Sequence, residues 1–162
     1  STPGKELVRE LGMNGFAFDV AHLAEPGFRD LCRMHEGPLI TSHTGVRALC
    51  DIPRNITREQ IGIILERNGI IGIAADPRML SVDGEASIQD VFTHIDWIAQ
   101  RFEAGGIGIG SDLCGFHTPN RGMEDISRLG DLAEVLLRNG YPEESIKGIL
   151  GMNWFRFYRT LL

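Results

Sequence analysis

Four short, continuous apolar segments constrain the fold of this chain more than any other feature of its sequence. They cover residues 16–21, 38–42, 70–75 and 106–111, and they are rich in Ile, Val or Phe with small residues between. A strand with one solvated face alternates apolar and polar residues, whereas a strand covered on both faces is apolar throughout. The segments therefore predict four buried, parallel strands.

Stretches with helical patterning separate these strands. The predicted helices cover residues 3–12, 25–34, 57–68, 87–103, 130–139, 142–150 and 154–162. Thr57 and Gln60 have the spacing of a capping box, which fixes the start of one of them. Repeats of strand, loop and helix predict right-handed crossovers, in an open doubly wound sheet or in part of a barrel. Since no linker or low-complexity segment interrupts the pattern, we predict a single α/β domain over residues 1–162.

Charge and composition exclude several classes of protein. The chain has 16 basic and 22 acidic side chains, a net charge of −6, which opposes binding to nucleic acid. No apolar run reaches the ~18 residues of a membrane segment, and the N-terminus does not resemble a signal peptide. Cys32, Cys50 and Cys114 show no C-x-x-C spacing, so we expect buried thiols in a reducing compartment. A cytoplasmic location is favoured, although the sequence does not fix the compartment.

Four polar residues end the four apolar segments: His22, His43, Asp76 and Asp112. The carboxyl ends of parallel strands open on one face, where ligands bind and catalytic groups gather. Imidazole and carboxylate are ligands for zinc or a similar divalent ion. A single His after a strand is more often an ordinary loop residue. Two of them at equivalent strand ends, with Asp112 after another strand, favour a metal site.

The remaining candidates are better explained without a ligand. Asp76 precedes Pro77, which is typical of a residue that starts a turn. His94 falls in the middle of a predicted helix and is expected to be structural. His35 and His117 have no supporting pattern, and we expect them in loops or on the surface.

A glycine-rich string, Gly105-Gly106-Ile107-Gly108-Ile109-Gly110, suggests a dinucleotide-binding loop. The spacing G-x-G-x-x-G is not met, because its third position, counted from Gly108, falls on Leu113. The glycines also lie within a predicted strand and not at a turn that opens a helix. Close packing inside a crowded strand explains them better.

Five motifs of this chain resemble, in their order and spacing, those of the membrane (renal) dipeptidase family. The members of this family are zinc dipeptidases of the amidohydrolase-like superfamily. The motifs are Asp19-Val20-Ala21-His22, Thr41-Ser42-His43-Thr44, Pro53-Arg54-Asn55, Phe92-Thr93-His94-Ile95-Asp96 and Gly108-Ile109-Gly110-Ser111-Asp112. The stretch 140–153 also resembles the C-terminal end of the family. The similarity extends over essentially all 162 residues.

The resemblance implies a (β/α)₈ barrel with two zinc ions at the carboxyl ends of its strands. This chain corresponds to the C-terminal half of such a barrel, with about four parallel strands. His22 and His43 match the two imidazole ligands of the second zinc ion, and Arg54 matches the arginine that binds the terminal carboxylate of the dipeptide. Asp112 matches the acid that handles protons on the attacking water and the leaving amine.

Two departures from the family pattern limit this interpretation. The family usually continues Gly-Ser-Asp with Phe-Asp-Gly, whereas this chain has Leu113-Cys114-Gly115. The family's first zinc ion is held by a His-x-Asp motif on the first strand, with a bridging carboxylate from a middle strand. The only His-x-Asp sequence in this chain, His94-Ile95-Asp96, lies in a predicted helix. A complete site holds two zinc ions, and this chain supplies ligands for one only.

The length agrees with half a barrel, since a complete one usually takes ~250 residues and four strands cannot close it. We therefore expect the chain to require an N-terminal half or another chain, a homodimer being one arrangement. Without a partner, one apolar face of the sheet would be exposed unless another segment covers it.

The sequence leaves three candidate functions for this chain. The first is a zinc dipeptidase acting on small dipeptides. The second is a non-catalytic family member or fragment that serves as a structural or partner-binding module. A His-x-Asp segment encoded upstream would favour the first over the second. The third, an α/β enzyme binding phosphate at the glycine-rich strand, is opposed by the acidic charge and the absence of a basic clamp.

Overall fold

A four-stranded parallel sheet forms the centre of the protein in the computed structural model, which describes all 162 residues. The strands are β1 (Phe18–Asp19), β2 (Leu39–Thr44), β3 (Ile70–Ile73) and β4 (Ile107–Ile109). They lie side by side in chain order, and each neighbouring pair is parallel. In the register, Ile40 lies opposite Ile70 and Ile71 opposite Ile107. The predicted sheet of four parallel strands is therefore confirmed.

Eight α-helices connect and cover the strands. They are α1 (Thr2–Met13), α2 (Glu25–Met34), α3 (Arg58–Glu66), α4 (Pro77–Leu80), α5 (Ile88–Phe102), α6 (Leu129–Arg138), α7 (Glu143–Lys147) and α8 (Asn153–Arg159). A 3₁₀ turn, Ile126–Arg128, precedes α6, and a π turn, Gly148–Met152, joins α7 to α8. Seven helices match predicted ones, and the one-turn helix α4 was not predicted.

Local capping explains where two of the helices begin. At α3 the Thr57 hydroxyl accepts a hydrogen bond from the Gln60 amide (3.2 Å), and the Gln60 side chain accepts one from the Thr57 amide (2.9 Å). This confirms the predicted capping box. At α1 the cap is Ser1, whose hydroxyl accepts from the Gly4 amide at 3.4 Å. The helix thus begins one residue earlier than predicted.

The main core lies between one face of the sheet and the helices α3, α5 and α6. Its fully buried members include Leu39, Ile71, Ile73, Ile107, Ile61, Ile64, Ile95, Ile98, Leu132 and Leu136. The strand members alternate along β3, with Ile71 and Ile73 facing this core and Ile70 facing away. Branched side chains pack well at such positions on a pleated sheet, which explains their abundance in the strands.

Helix α8 covers part of the opposite face of the sheet. Phe157 packs against Ile40 and Ile70, and all three are buried. Asn153 attaches the helix to β4, because its side-chain amide donates to the carbonyls of Ala104 (2.9 Å) and Ile107 (2.8 Å). Helix α8 is therefore a segment that covers part of this apolar face, the exception that the sequence-based expectation allowed, since it buries the isoleucines that point away from the main core.

Close packing explains Gly108 in β4 and Gly110 directly after it, as predicted. A Cβ atom at Gly110 would lie 1.7 Å from the Ser42 carbonyl oxygen, and one at Gly108 would lie 2.3 Å from the Trp154 indole nitrogen. That indole nitrogen donates to the Ile109 carbonyl at 3.0 Å. Any side chain at these positions would displace a neighbouring strand or helix α8.

The three cysteines are unpaired, but they differ in exposure. Cys50 is buried and Cys32 is partly buried, and this burial raises the pKa of both thiols. Cys114 is exposed in the loop that follows β4, which corrects the expectation that all three thiols are buried. None of the helices combines the length and apolar character needed to span a bilayer.

Candidate active site

The two predicted metal ligands converge at the carboxyl end of the sheet. His22 follows β1, whereas His43 lies within β2, and their Nε2 atoms are 2.8 Å apart. The two rings meet edge to face, with centroids 4.6 Å apart and an angle of 67° between their planes. The parallel pairing of β1 with β2 produces this convergence, because it brings the ends of both strands to one edge.

Asp19, at the end of β1, fixes the turn that carries His22. Its Oδ1 atom accepts hydrogen bonds from the amides of Ala21 and Ser42, each 2.9 Å long. His22 itself has a φ of 64°, a left-handed conformation that is uncommon outside glycine. The Asp19 carboxylate thus ties the His22 turn to the neighbouring strand, a role that the sequence alone did not indicate.

Hydrogen bonds orient both rings and identify the acceptor nitrogen of His22. An Arg54 guanidinium nitrogen lies 3.0 Å from His22 Nε2, and since arginine can only donate, this Nε2 is an acceptor. The Ser42 hydroxyl lies 2.9 Å from His43 Nδ1 and orients the second ring. Burial is the main cause that lowers the pKa of His22, and the charges of Arg54 and His43 lower this pKa further. The charges of Asp112 and Asp19 raise it. Neutral imidazole, the form that binds metals, is therefore favoured at His22.

Asp112 reaches the same place from the end of β4. Its Oδ2 atom is 3.7 Å from His43 Nε2, and its side chain is 28% exposed. The residue has a φ of 53°, so it shares with His22 the left-handed conformation that is rare for most residues. Gly115 leaves room for its carboxylate, because a Cβ atom there would lie 2.4 Å from both carboxylate oxygens.

The structure thus brings all four sequence-predicted residues together, and we call His22, His43, Arg54 and Asp112 the candidate site. Beside it lies a cleft of about 250 Å³, lined by His22 and Arg54 among others. The turn after β1, strand β2, the loop after β2 and the loop after β4 each contribute one residue. Convergence from four separate segments is typical of catalytic sites on parallel α/β folds.

Asp76 stays outside the candidate site and starts a turn, as predicted. Its buried carboxylate accepts from the Arg78 amide (3.0 Å) at the beginning of α4 and pairs with the Arg78 guanidinium (2.6 Å). Arg78 also donates to the Gly115 carbonyl at 3.3 Å. The Asp76–Arg78 pair therefore supports the loop of Asp112 instead of binding a ligand itself.

The other histidines lie outside the candidate site. His94 is buried in α5, where its Nδ1 accepts from the Val46 amide (2.9 Å) and its Nε2 donates to the Leu80 carbonyl (3.1 Å). It is structural, as expected. His117 is exposed in a loop. His35 lies in the loop after α2, as expected, with its ring packed against Phe18 and its Nε2 atom buried without a hydrogen-bond partner.

Acid is expected to destabilise the fold through His94. Burial lowers the pKa of His94 from 6.5 to about 4, so between these values the unfolded chain binds a proton that the folded chain does not. The free energy of unfolding should therefore fall as the pH falls through this range, by about 3 kcal/mol at most. Urea unfolding at pH 7.5 and pH 4.5 measures the change. His94→Asn, which retains an acceptor for Val46 but does not titrate, should show a smaller difference, and an equal difference would contradict the assignment.

The donor set fits part of a metal site. No group of three His, Cys, Asp or Glu residues is arranged to hold a metal ion. The two imidazole nitrogens lie 2.8 Å apart, near enough for both to reach one zinc ion, whereas catalytic zinc usually has three protein ligands. The chain therefore offers two convergent nitrogen ligands and a nearby carboxylate, and a complete metal site needs further donors.

Comparisons with known proteins identify dipeptidases as relatives of this chain. Dipeptidase tcpJ of Claviceps purpurea is 29% identical over 162 residues, which is 99% of this chain and 38% of that protein. Dipeptidase aclJ of Aspergillus oryzae is 29% identical over 158 residues, 96% of this chain and 37% of that protein. The chain spans less than half the length of these relatives.

Solved structures give the same result. A metallo peptidase from Rhodobacter sphaeroides, liganded with a phosphinate mimic of the dipeptide L-Ala-D-Ala, superposes with a TM-score of 0.92 and 28% identity over 100% of this chain and 47% of that chain. The dipeptidase AC, a metallo peptidase of family M19, gives a TM-score of 0.90 and 29% identity over 97% of this chain and 47% of that chain. The fold is therefore about half of the fold of these metallopeptidases, as predicted.

A family model described as membrane dipeptidase (peptidase family M19) matches residues 1–161. The match covers nearly the whole chain. This protein belongs to the membrane dipeptidase family, peptidase family M19.

Proposed function

We propose that this chain supplies the C-terminal half of a zinc-dependent dipeptidase site. Four groups converge at the carboxyl end of the sheet, and this observation carries the proposal. They are His22 Nε2, His43 Nε2, the Arg54 guanidinium and the Asp112 carboxylate. Two imidazoles, one cation and one carboxylate are the groups needed to hold a metal, bind an anionic end group and move a proton. Membership of a dipeptidase family supports the same chemistry.

His22 and His43 are the proposed ligands. The Nε2 lone pair of His22 accepts a hydrogen bond from Arg54 that a bound metal would replace, and Ser42 fixes the orientation of the His43 ring. Hydrogen-bond partners that orient a ligating histidine raise the precision of a metal site. Zinc, when bound there, would supply the positive charge that makes an attacking water more acidic.

Arg54 is proposed to bind the free carboxylate of a small dipeptide. Its side chain is exposed and forms no ion pair within the chain, so its guanidinium fork is available to an anion. The planar fork matches a carboxylate in geometry. Its position beside His22 would place the terminal carboxylate of the substrate next to the metal ligands.

Asp112 is proposed to move protons during hydrolysis. Its carboxylate lies beside His43, partly exposed, and carries no arginine or lysine partner that would occupy it. It can accept a proton from the attacking water and return one to the leaving amine.

A second half barrel is proposed to complete the site. In the sheet β1 and β4 each have one neighbour only, so both retain an edge available for pairing with further strands. Another polypeptide segment or a second copy of this chain could occupy these edges. The position of α8 is compatible with completion, because the superposition with a chain about twice as long includes the whole of this chain.

A non-catalytic member of the family is the second candidate. The observation that favours it is the lack of three clustered metal-binding side chains in this chain. In that case the protein would retain the family's fold as a partner-binding module, and no assembly containing it would hydrolyse dipeptides.

Arg54→Lys tests the proposed substrate role in an active assembly. Lysine keeps the charge but loses the two-pronged hydrogen bond, so we expect the KM for a dipeptide to rise about tenfold or more. Arg58→Lys, an exposed position four residues away, is the matched control and should leave the KM unchanged. An unchanged KM in Arg54→Lys would remove this residue from the carboxylate role.

A further inference from the structure

Arg47, in the loop after β2, bonds the backbone directly before Arg54. Its Nε atom donates to the Ile52 carbonyl (3.2 Å), and one terminal nitrogen donates to the Pro53 carbonyl (2.9 Å). Its other terminal nitrogen pairs with the carboxylate of Glu25 at the start of α2. One guanidinium therefore holds two successive carbonyls and is itself held from a second element.

The backbone of Arg47 holds the other side of the same loop. Its amide donates to the Ile56 carbonyl at 2.9 Å, and the Ile56 amide donates to the Gly45 carbonyl at 3.2 Å. The segment around Arg54 is thus bonded to residues 45–47 both before and after Arg54. The Arg47 side chain is only 22% exposed, so most of its surface is shielded from water.

Arg54 depends on this support, because its own side chain has little to hold it. Its one side-chain hydrogen bond is to His22 Nε2 at 3.0 Å, and the residue is exposed. A long side chain in that situation keeps its direction only as far as the backbone beneath it is fixed. Fixing it in advance reduces the entropy lost when an anion binds.

We propose that Arg47, anchored by Glu25, is a positioning residue that aims Arg54 at the ligand beside His22. The identity of that ligand as a dipeptide carboxylate rests on the proposed function. Glu25 lies at the start of the helix that follows the His22 turn, so the anchor joins the segments of His22 and Arg54. The Arg47 contacts need three donors in one plane, which lysine cannot provide.

Hydrogen exchange of the chain tests the positioning independently of any activity. Arg47→Lys retains the charge opposite Glu25 but cannot bond both carbonyls, so amides in residues 52–57 should exchange about tenfold faster. Arg29→Gln is the control, because Arg29 also pairs with Glu25, at 3.1 Å, but is exposed and has no bond to the loop. That variant should leave exchange in 52–57 unchanged. Equal exchange in Arg47→Lys and the unmodified chain would overturn the proposal.

Kinetics of the active assembly test the consequence for Arg54. Arg47→Lys should raise the KM for a dipeptide about tenfold with kcat unchanged, and should have little effect on kcat/KM for the dipeptide amide, which lacks the carboxylate. Adding Arg54→Lys to the Arg47→Lys variant should raise the KM much less than Arg54→Lys does alone, because both substitutions weaken the same interaction with the substrate carboxylate. A general disturbance of the fold would instead lower kcat, and it would lower kcat/KM for both the dipeptide and its amide.

The two tests separate the inference from the function on which it rests. Faster exchange with an unchanged KM would overturn the positioning role while leaving the dipeptidase function intact. If no assembly of the unmodified protein hydrolyses dipeptides, the proposed function fails, and the exchange experiment alone decides whether Arg47 fixes the Arg54 segment. Glu25→Gln provides a second variant, expected to accelerate exchange in 52–57 less than Arg47→Lys because both carbonyl bonds remain.

Discussion

The 162-residue chain, supplied with zinc and a dipeptide, is expected to show no hydrolysis above that of zinc in buffer. Its two histidine nitrogens converge, but no third metal-binding side chain completes the cluster. Three protein ligands are usual even for a single catalytic zinc. Weakly held metal would leave the attacking water poorly placed, and the acidity that metals give to water would be lost.

Adding a half barrel that carries the missing His-x-Asp strand should restore zinc binding and activity together, with turnover of about 1–10³ per second. The measurement is a dipeptide hydrolysis assay paired with metal analysis of the purified protein, its mass verified. The matched control is the same mixture with His43→Ala, which should bind less zinc and remain inactive. Turnover in that range by the chain alone, as a monomer, would show that two histidines and Asp112 suffice. The same turnover by a dimer would identify a second copy as the missing half.

The strands and the candidate site could be predicted because each depends on a local signal. Continuous apolar segments indicate strands covered on both faces, and these segments contain all four observed strands apart from the last two residues of β2. The residues at their ends were then expected to meet at one edge, as His22, His43 and Asp112 do. Arg54 was found only through the family resemblance, since nothing in its local sequence distinguishes it from a solvated loop residue.

Other features could not be predicted because they depend on contacts between residues far apart in the chain. Asp19 bonds the amide of Ser42, 23 positions away, and no spacing rule connects them. The cover that α8 provides for Ile40 and Ile70 likewise depends on tertiary packing and not on a periodic pattern. The lengths of β1, β3 and β4 were overestimated for a related reason, because a strand ends where its neighbour stops pairing. Thus β1 contains only Phe18–Asp19, whose partners are the first two residues of β2.

Asp112→Asn is expected to lower kcat in an active assembly by about 10²–10⁴-fold, the usual contribution of a positioned acid or base. The amide cannot accept a proton from the attacking water or return one to the leaving amine. Asparagine adopts the left-handed conformation as readily as aspartate does, so the φ of 53° at this position should be preserved. The loss should therefore reflect proton transfer and not a collapsed loop.

Steady-state kinetics with a dipeptide distinguish this role of Asp112 from a role in binding. Removal of a group that acts only in the transition state lowers kcat and kcat/KM equally, whereas removal of a binding group raises KM. Cys114→Ser, an exposed position in the same loop, is the matched control and should retain full activity. Zinc content must be measured in both variants, because Asp112 lies 3.7 Å from His43 and could contribute to metal binding. If Asp112→Asn lost zinc in proportion to activity, the carboxylate would be a metal ligand, and the proton-transfer role assigned to it would be wrong.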